Sequence, residues 1–210
     1  MAQTTVVHLL RHGEVHNPGG VLYGRLPGYH LSGTGRLMAA AAADFFAERS
    51  VAALFASPLE RAQETARPVA ERLGLEIVTD ERLIESGNVL EGKTVSLAGL
   101  GLNPANWRYL WNPFEPSWGE PYKDIVARMN GVIERAREAA PGREAVCVSH
   151  QLPIWVSRLA AEHKRLWHNP NSRQCALGSV TSLTFSGDEL SGVSYAVPPR
   201  RQVRDPDAAQ

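Results

Sequence analysis

The sequence predicts a three-layer α/β/α sandwich with a mostly parallel central sheet, and three observations carry that prediction. Four short apolar runs, at 6–10, 51–56, 75–78 and 144–148, have the length of buried strands. Segments of helical period separate them, the alternation that places helices on both faces of a parallel sheet. Three of the runs end in polar groups of related chemistry: Arg11-His12, Ser57 to Arg61, and Ser149-His150. Parallel strands present their carboxyl ends on one side, where open α/β sheets bind their ligands, so groups far apart in sequence are expected to converge there.

Each element has its own local reason. After the first strand, residues 15–31 are rich in Gly, Pro, Tyr and His without a period and are read as a loop. Ser32 is an N-cap for a helix to about Arg49, with Leu37, Ala41 and Phe45 as the expected buried face. The run Val51–Ala56 leads into Ser57-Pro58-Leu59-Glu60, which has the pattern of a capping box with proline at the first helical position. Leu59, Ala62, Ala66, Val69 and Leu73 then follow at helical spacing and leave Arg61 on another face. A strand at Leu75–Val78 precedes a loop over 79–94. Four prolines and three tryptophans between 101 and 121 predict an irregular flap with a short helix near 104–111. A packing helix follows over Tyr122–Ala139, ended by Pro141-Gly142. The strand Glu144–Val148 opens through Ser149-His150 onto a helix to about Ala161. Two antiparallel strands near 179–186 and 190–197 turn at Gly187-Asp188, and the tail 198–210 is expected to be disordered.

Size and composition bound the function. A chain of 210 residues with 43% hydrophobic content buries one substantial core, so residues 1–197 are expected to form a single domain. Lys plus Arg and Asp plus Glu are 22 each, which gives no basic field for nucleic acid or acidic lipid. No run of 18 or more apolar residues and no leader-like N-terminus appears, so no membrane partner is expected. Cys147 and Cys175 lack metal-type spacing and suit a reducing, cytoplasmic setting. Oligomeric state is not readable from the chain.

The residues at the strand ends point to phosphate chemistry. Arg11 offers forked donors that match phosphate oxygens, His12 can act as a nucleophile near neutral pH, and Gly13 permits close backbone approach. Arg11, Arg61 and His150 together would spread the charge of a dianionic phosphoryl group while His12 attacks phosphorus, which requires no metal or cofactor. His8, His12 and His16 mimic a metal-binding helix face, but the run before Arg11 has strand character, so no metal site is expected. His163 and His168 are read as surface or loop residues.

In order along the chain stand strand-Arg-His-Gly-Glu, Leu31-Ser32-x-x-Gly35, Ser57-Pro58-Leu59-x-Arg61-Ala62-x-x-Thr65-Ala66, Leu83-x-Glu85 and Val148-Ser149-His150. This set resembles the histidine phosphatase superfamily, which includes the cofactor-dependent phosphoglycerate mutases. The resemblance implies a phosphoglycerate mutase-like fold and a phosphatase acting on a small phosphorylated molecule. It implies that His12 becomes phosphohistidine, that Arg11, Arg61 and His150 hold the phosphoryl group, and that Glu85 is the proton donor. Glu14, Glu81 and Glu91 compete with Glu85 for that last role. The chain also departs from the family pattern. Pro18 stands where many members have Asn, with Asn17 one place early; the loop holding Tyr23 and Arg25 is shifted, leaving Asn17, Tyr23 and Arg25 as possible substrate contacts. The stretch from Glu85 to Gly92 is one residue short, and Gln151 replaces a common glycine. Phosphomonoester hydrolysis is favoured over mutase-type transfer or a weakly catalytic phospho-ligand module. The aromatic flap is expected to select a bulky or partly apolar ester over a small sugar acid.

Overall fold

Residues 3–88, 91–92 and 119–199 are described in the computed structural model. The aromatic segment 101–118, with its expected short helix, and residues 200–210 of the tail lie outside the described residues. The strands are β1 (Thr4–Arg11), β2 (Val51–Ala56), β3 (Ile77–Thr79), β4 (Glu144–Ser149), β5 (Val180–Ser186) and β6 (Glu189–Ala196). The helices are α1 (Gly33–Phe46), α2 (Glu60–Leu73), α3 (Tyr122–Ala139) and α4 (Gln151–Ala161). Among the described residues the strands form one sheet in the order β3-β2-β4-β1-β5-β6. β3, β2, β4 and β1 are mutually parallel, and β5 and β6 extend the sheet antiparallel beyond β1.

The alternation of side chains along the central strands explains the layers. Leu10, Leu54, Val146 and Val148 face α1 and α2, whereas Val7, Leu9, Phe55 and Cys147 face α3 and α4. Leu9 and Leu10 are both fully buried although they point to opposite faces. Each such aliphatic side chain gains roughly 1.5–3 kcal/mol on leaving water, so the two half-cores clamp the sheet between them. His8, inside β1, is satisfied in place: Nδ1 meets Ser182 Oγ at 2.8 Å and Nε2 meets Glu144 at 2.7 Å. Cys147 and Cys175 are both free and buried.

Three local expectations are corrected. α1 ends at Phe46 and buries Met38, Ala42 and Phe46, leaving Leu37 47% exposed. The alanine run gives the helical period little contrast, and Phe46 against the His8 ring at 5.2 Å fixes the rotation instead. β3 begins at Ile77, because Gly74 adopts a left-handed φ of 65° and the Leu75 N–H still bonds to Ala70 O. The expected capping box at Ser57 does not form: α2 starts at Glu60, with Leu59 at the N-cap. The Ser57 hydroxyl is drawn to His150 instead, at 2.8 Å. The predicted cap at Ser32 does form, accepting from Gly35 N–H at 2.9 Å. Gly13 is required by packing: a Cβ there would lie 2.5 Å from the Gly35 carbonyl oxygen.

Asp80 anchors the loop leaving β3. Its carboxylate accepts from Arg82 Nε and Nη2 at 2.9 and 2.7 Å and from Arg135 Nη1 at 2.8 Å. The hydrogen bonds from Arg82 chiefly hold its pKa down to about 2, from an ordinary 3.8. The contribution to stability is therefore full above about pH 4 and disappears as pH falls through 2. Asp80→Asn is expected to lower stability at neutral pH and to flatten its decline between pH 4 and 2, read by denaturant unfolding at each pH.

Candidate active site

The order β2-β4-β1 places three strand ends side by side. In register, Arg11 lies opposite Ser149 and Ala56 opposite Val148. The pairing continues one step: His12 N–H bonds to Ser149 O and Ser57 N–H to Val148 O, both at 3.0 Å. His12, Ser57 and His150 thus emerge from adjacent strands at the same edge. Glu85 arrives from the outer strand β3 through a 3-10 turn over Glu81–Leu83, which Ser149 Oγ fastens by donating to Leu83 O at 2.7 Å.

His12 and Glu85 border a cavity of about 290 Å3 whose described wall also includes Arg11, Tyr23, Tyr122 and Arg173. His12 donates from Nδ1 to its neighbour's carbonyl, Gly13 O, at 2.7 Å, which leaves the Nε2 lone pair as the reactive position. Burial, reinforced by Arg61 and Arg11, pulls the His12 pKa down to about 3, so the ring is neutral throughout the physiological range. His150 lies behind it, with ring centroids 5.1 Å apart. Burial first, then His12 and Arg61, hold His150 neutral as well. The Ser57 hydroxyl accepts from Leu59 N–H at 3.4 Å and lies 2.8 Å from His150 Nε2, so it holds that imidazole by one ring nitrogen.

Arg61 is completely buried at the first turn of α2. Its Nη2 donates to Gly24 O at 2.6 Å, and the Tyr23 ring lies across the guanidinium at 4.7 Å. Arg11 Nη1 donates to Cys175 O at 2.6 Å. Four buried nitrogens nevertheless have no partner among the described residues: Arg11 Nε, Arg61 Nε and Nη1, and His150 Nδ1. Buried polar groups are normally satisfied, and these four sit on the side chains that surround the His12 imidazole. Thr65 fixes the frame, accepting from Gly13 N–H at 3.0 Å and donating to Arg61 O at 2.7 Å.

Among the four competing carboxylates, Glu85 borders the cavity. Glu14 is held by Ser32 Oγ at 2.6 Å, Glu81 is exposed, and Glu91 accepts from Asn88 N–H at 3.1 Å. Burial pushes the Glu85 carboxyl above the ordinary glutamate value, opposed by the Ser86 N–H and by Arg61, Arg11 and Arg173. Of the three possible substrate contacts, Tyr23 lines the cavity, whereas Asn17 and Arg25 do not form its described wall. Asn17 closes its own loop through Val21, donating to Val21 O at 2.8 Å and accepting from Val21 N–H at 3.1 Å. Arg25 instead braces the loop that carries Glu85, donating to Glu85 O at 2.6 Å and to Glu120 at 2.9 Å. Sequence reasoning missed Arg173, Tyr122 and the supporting role of Ser57; Gln151, which departs from the family pattern, does line the cavity.

The fold gathers two histidines and two arginines at the carboxyl edge of a mostly parallel α/β sheet. The family model "Histidine phosphatase superfamily (branch 1)" matches residues 7–197, and the chain belongs to that superfamily, whose phosphatase class it shares. "Uncharacterized protein Rv0525" of Mycobacterium tuberculosis is 56% identical over 199 residues, covering 94% of this chain and 98% of its own. "Glucosyl-3-phosphoglycerate phosphatase" of the same organism is 29% identical, covering 88% and 84%. The solved native structure of mycobacterial glucosyl-3-phosphoglycerate phosphatase Rv2419c superposes with a TM-score of 0.74 at 26% identity, over 93% of this chain and 98% of that one.

Proposed function

We infer that the protein is a phosphomonoesterase that hydrolyses a small-molecule phosphate ester in two steps through phosphohistidine at His12. The carrying observation is the set of four unpartnered buried nitrogens around a neutral histidine whose Nε2 lone pair is free of its intramolecular bond. A dianionic phosphoryl group supplies acceptors for all four, and its charge compensates two guanidinium groups that face no carboxylate in an ion pair among the described residues. His12 Nε2 attacks phosphorus, the bond to the ester oxygen breaks, and Glu85 gives its proton to the leaving oxygen. Glu85, now a carboxylate, takes a proton from water as the water oxygen attacks phosphorus. The P–N bond then breaks and inorganic phosphate is released.

Hydrolysis is favoured over mutase transfer because relatives carry phosphatase names, among them glucosyl-3-phosphoglycerate phosphatase. Arg11, Arg61 and His150 supply the charge neutralisation that divalent metals provide in other phosphatases, so turnover needs no metal. The test is hydrolysis of an aryl phosphate with and without excess chelator. Undiminished activity is the expected result; loss on chelation, restored by a divalent ion, overturns the mechanism.

A further inference from the structure

We propose that Arg173 forms a second anion subsite in the cavity, so that the leaving group of the preferred ester carries a carboxylate; this rests on the phosphatase reading above. Arg173 follows the short 3-10 turn Pro170–Ser172 between α4 and β5 and lines the cavity together with Arg11 and Glu85.

Its guanidinium is held by neutral groups. Nε donates to His168 Nε2 at 2.8 Å, and Nη1 reaches Gln151 Oε1 at 3.4 Å. The tautomer of that histidine is set from its other side, where Nδ1 donates to Leu166 O at 2.7 Å and so leaves Nε2 as an acceptor. Its ring lies 5.6 Å from that of Tyr122 and 5.9 Å from that of Trp155. His168, expected as a plain loop residue, is therefore the mount of a cavity arginine.

The charge on that arginine has no neutraliser among the described residues. Arg25, Arg82, Arg128, Arg135, Arg137 and Arg158 each pair with a carboxylate, whereas Arg173 makes no such pair. Glu120, the other carboxylate of the cavity wall, is engaged by both Arg25 and Arg128. The other acid, Glu85, is the proton donor and is raised by burial toward its neutral form. A half-buried guanidinium that faces a cavity without a counter-ion carries a desolvation cost that an anionic ligand removes. Its planar fork, already oriented by His168 and Gln151, suits a carboxylate and loses little freedom on binding. The phosphoryl group has its own donors on Arg11, Arg61 and His150, so Arg173 is left for the alcohol portion of the substrate.

The experiment compares 4-carboxyphenyl phosphate with its neutral counterpart, 4-carbamoylphenyl phosphate. Both leave as phenols, so any change at Glu85 acts on both and largely cancels in their ratio. Wild type is expected to favour the carboxylate by about 10- to 100-fold in kcat/KM, the range of one charge-assisted contact. Arg173→Gln should bring that ratio close to one, mainly through KM for the charged ester, and Arg173→Lys should restore part of it. Equal turnover of the two esters by wild type, or a ratio unchanged in Arg173→Gln, overturns the subsite. If wild type hydrolyses neither, the phosphatase reading fails on its own. The two dissociation constants measured by calorimetry then decide the subsite, a tenfold preference supporting it and equal affinities refuting it.

Discussion

His12→Ala is expected to lower kcat by about ten-thousandfold or more, the loss typical of removing a covalent nucleophile. The environment explains why no neighbour can substitute. The His150 imidazole lies 5.1 Å away between ring centroids, but its Nε2 is engaged by Ser57 at 2.8 Å and the residue does not line the cavity wall. His12 also differs in readiness: burial and two arginines hold its pKa at about 3, so its lone pair is available across the whole neutral range. The free enzyme therefore has no activity limb from His12 protonation above about pH 4. The measurement is kcat on an aryl phosphate with the melting temperature followed in parallel, since His12 itself is 2% exposed and contributes to packing.

Glu85→Gln is expected to depend on the ester. For an alkyl phosphate, whose leaving oxygen requires a proton, the loss should be about 100- to 10,000-fold. For p-nitrophenyl phosphate the first step should be nearly spared, because that phenolate leaves without assistance. The pH profile follows from the direction of the shift. In the proposed mechanism Glu85 acts in its acid form, so kcat/KM for alkyl esters is expected to fall as pH rises through its pKa. Burial places that fall above the ordinary carboxylate range. The limb should vanish in Glu85→Gln. Initial rates over pH 4 to 9, about the span that brackets a raised carboxylate and neutral histidines, check this.

The sequence exposed the parts of the site that sit where strands end. Arg11-His12 and Ser149-His150 each follow an apolar run, and the parallel pairing of β1 with β4 joins them with no long-range information beyond the sheet rule. Glu85 was legible through the family pattern, while its raised pKa arises from burial that a linear chain does not display. Ser57 shows where local reasoning loses. Serine, proline and glutamate stand at capping positions, yet a histidine 93 residues away takes the hydroxyl, and the helix starts at Glu60. Leu37 failed for a related reason, since the alanines around it fit either rotation of α1. Arg173 had no period, cap or motif to mark it; its position depends on the irregular chain between α4 and β5, which brings Pro170 and Arg173 to the cavity wall. Arg25 does lie near the loop that carries Glu85, but its guanidinium goes to the Glu85 backbone carbonyl rather than into the cavity.

Trapping the covalent intermediate tests the central claim most directly. With p-nitrophenyl phosphate, Glu85→Gln should still transfer phosphate to His12 but lack the carboxylate that activates water, so the phosphoenzyme should accumulate. Denaturation in alkali followed by peptide mass mapping should then find an acid-labile phosphate on the peptide carrying His12, absent from the His12→Ala protein. Phosphate on another residue, or sustained hydrolysis in which His12 never carries it, would contradict the account.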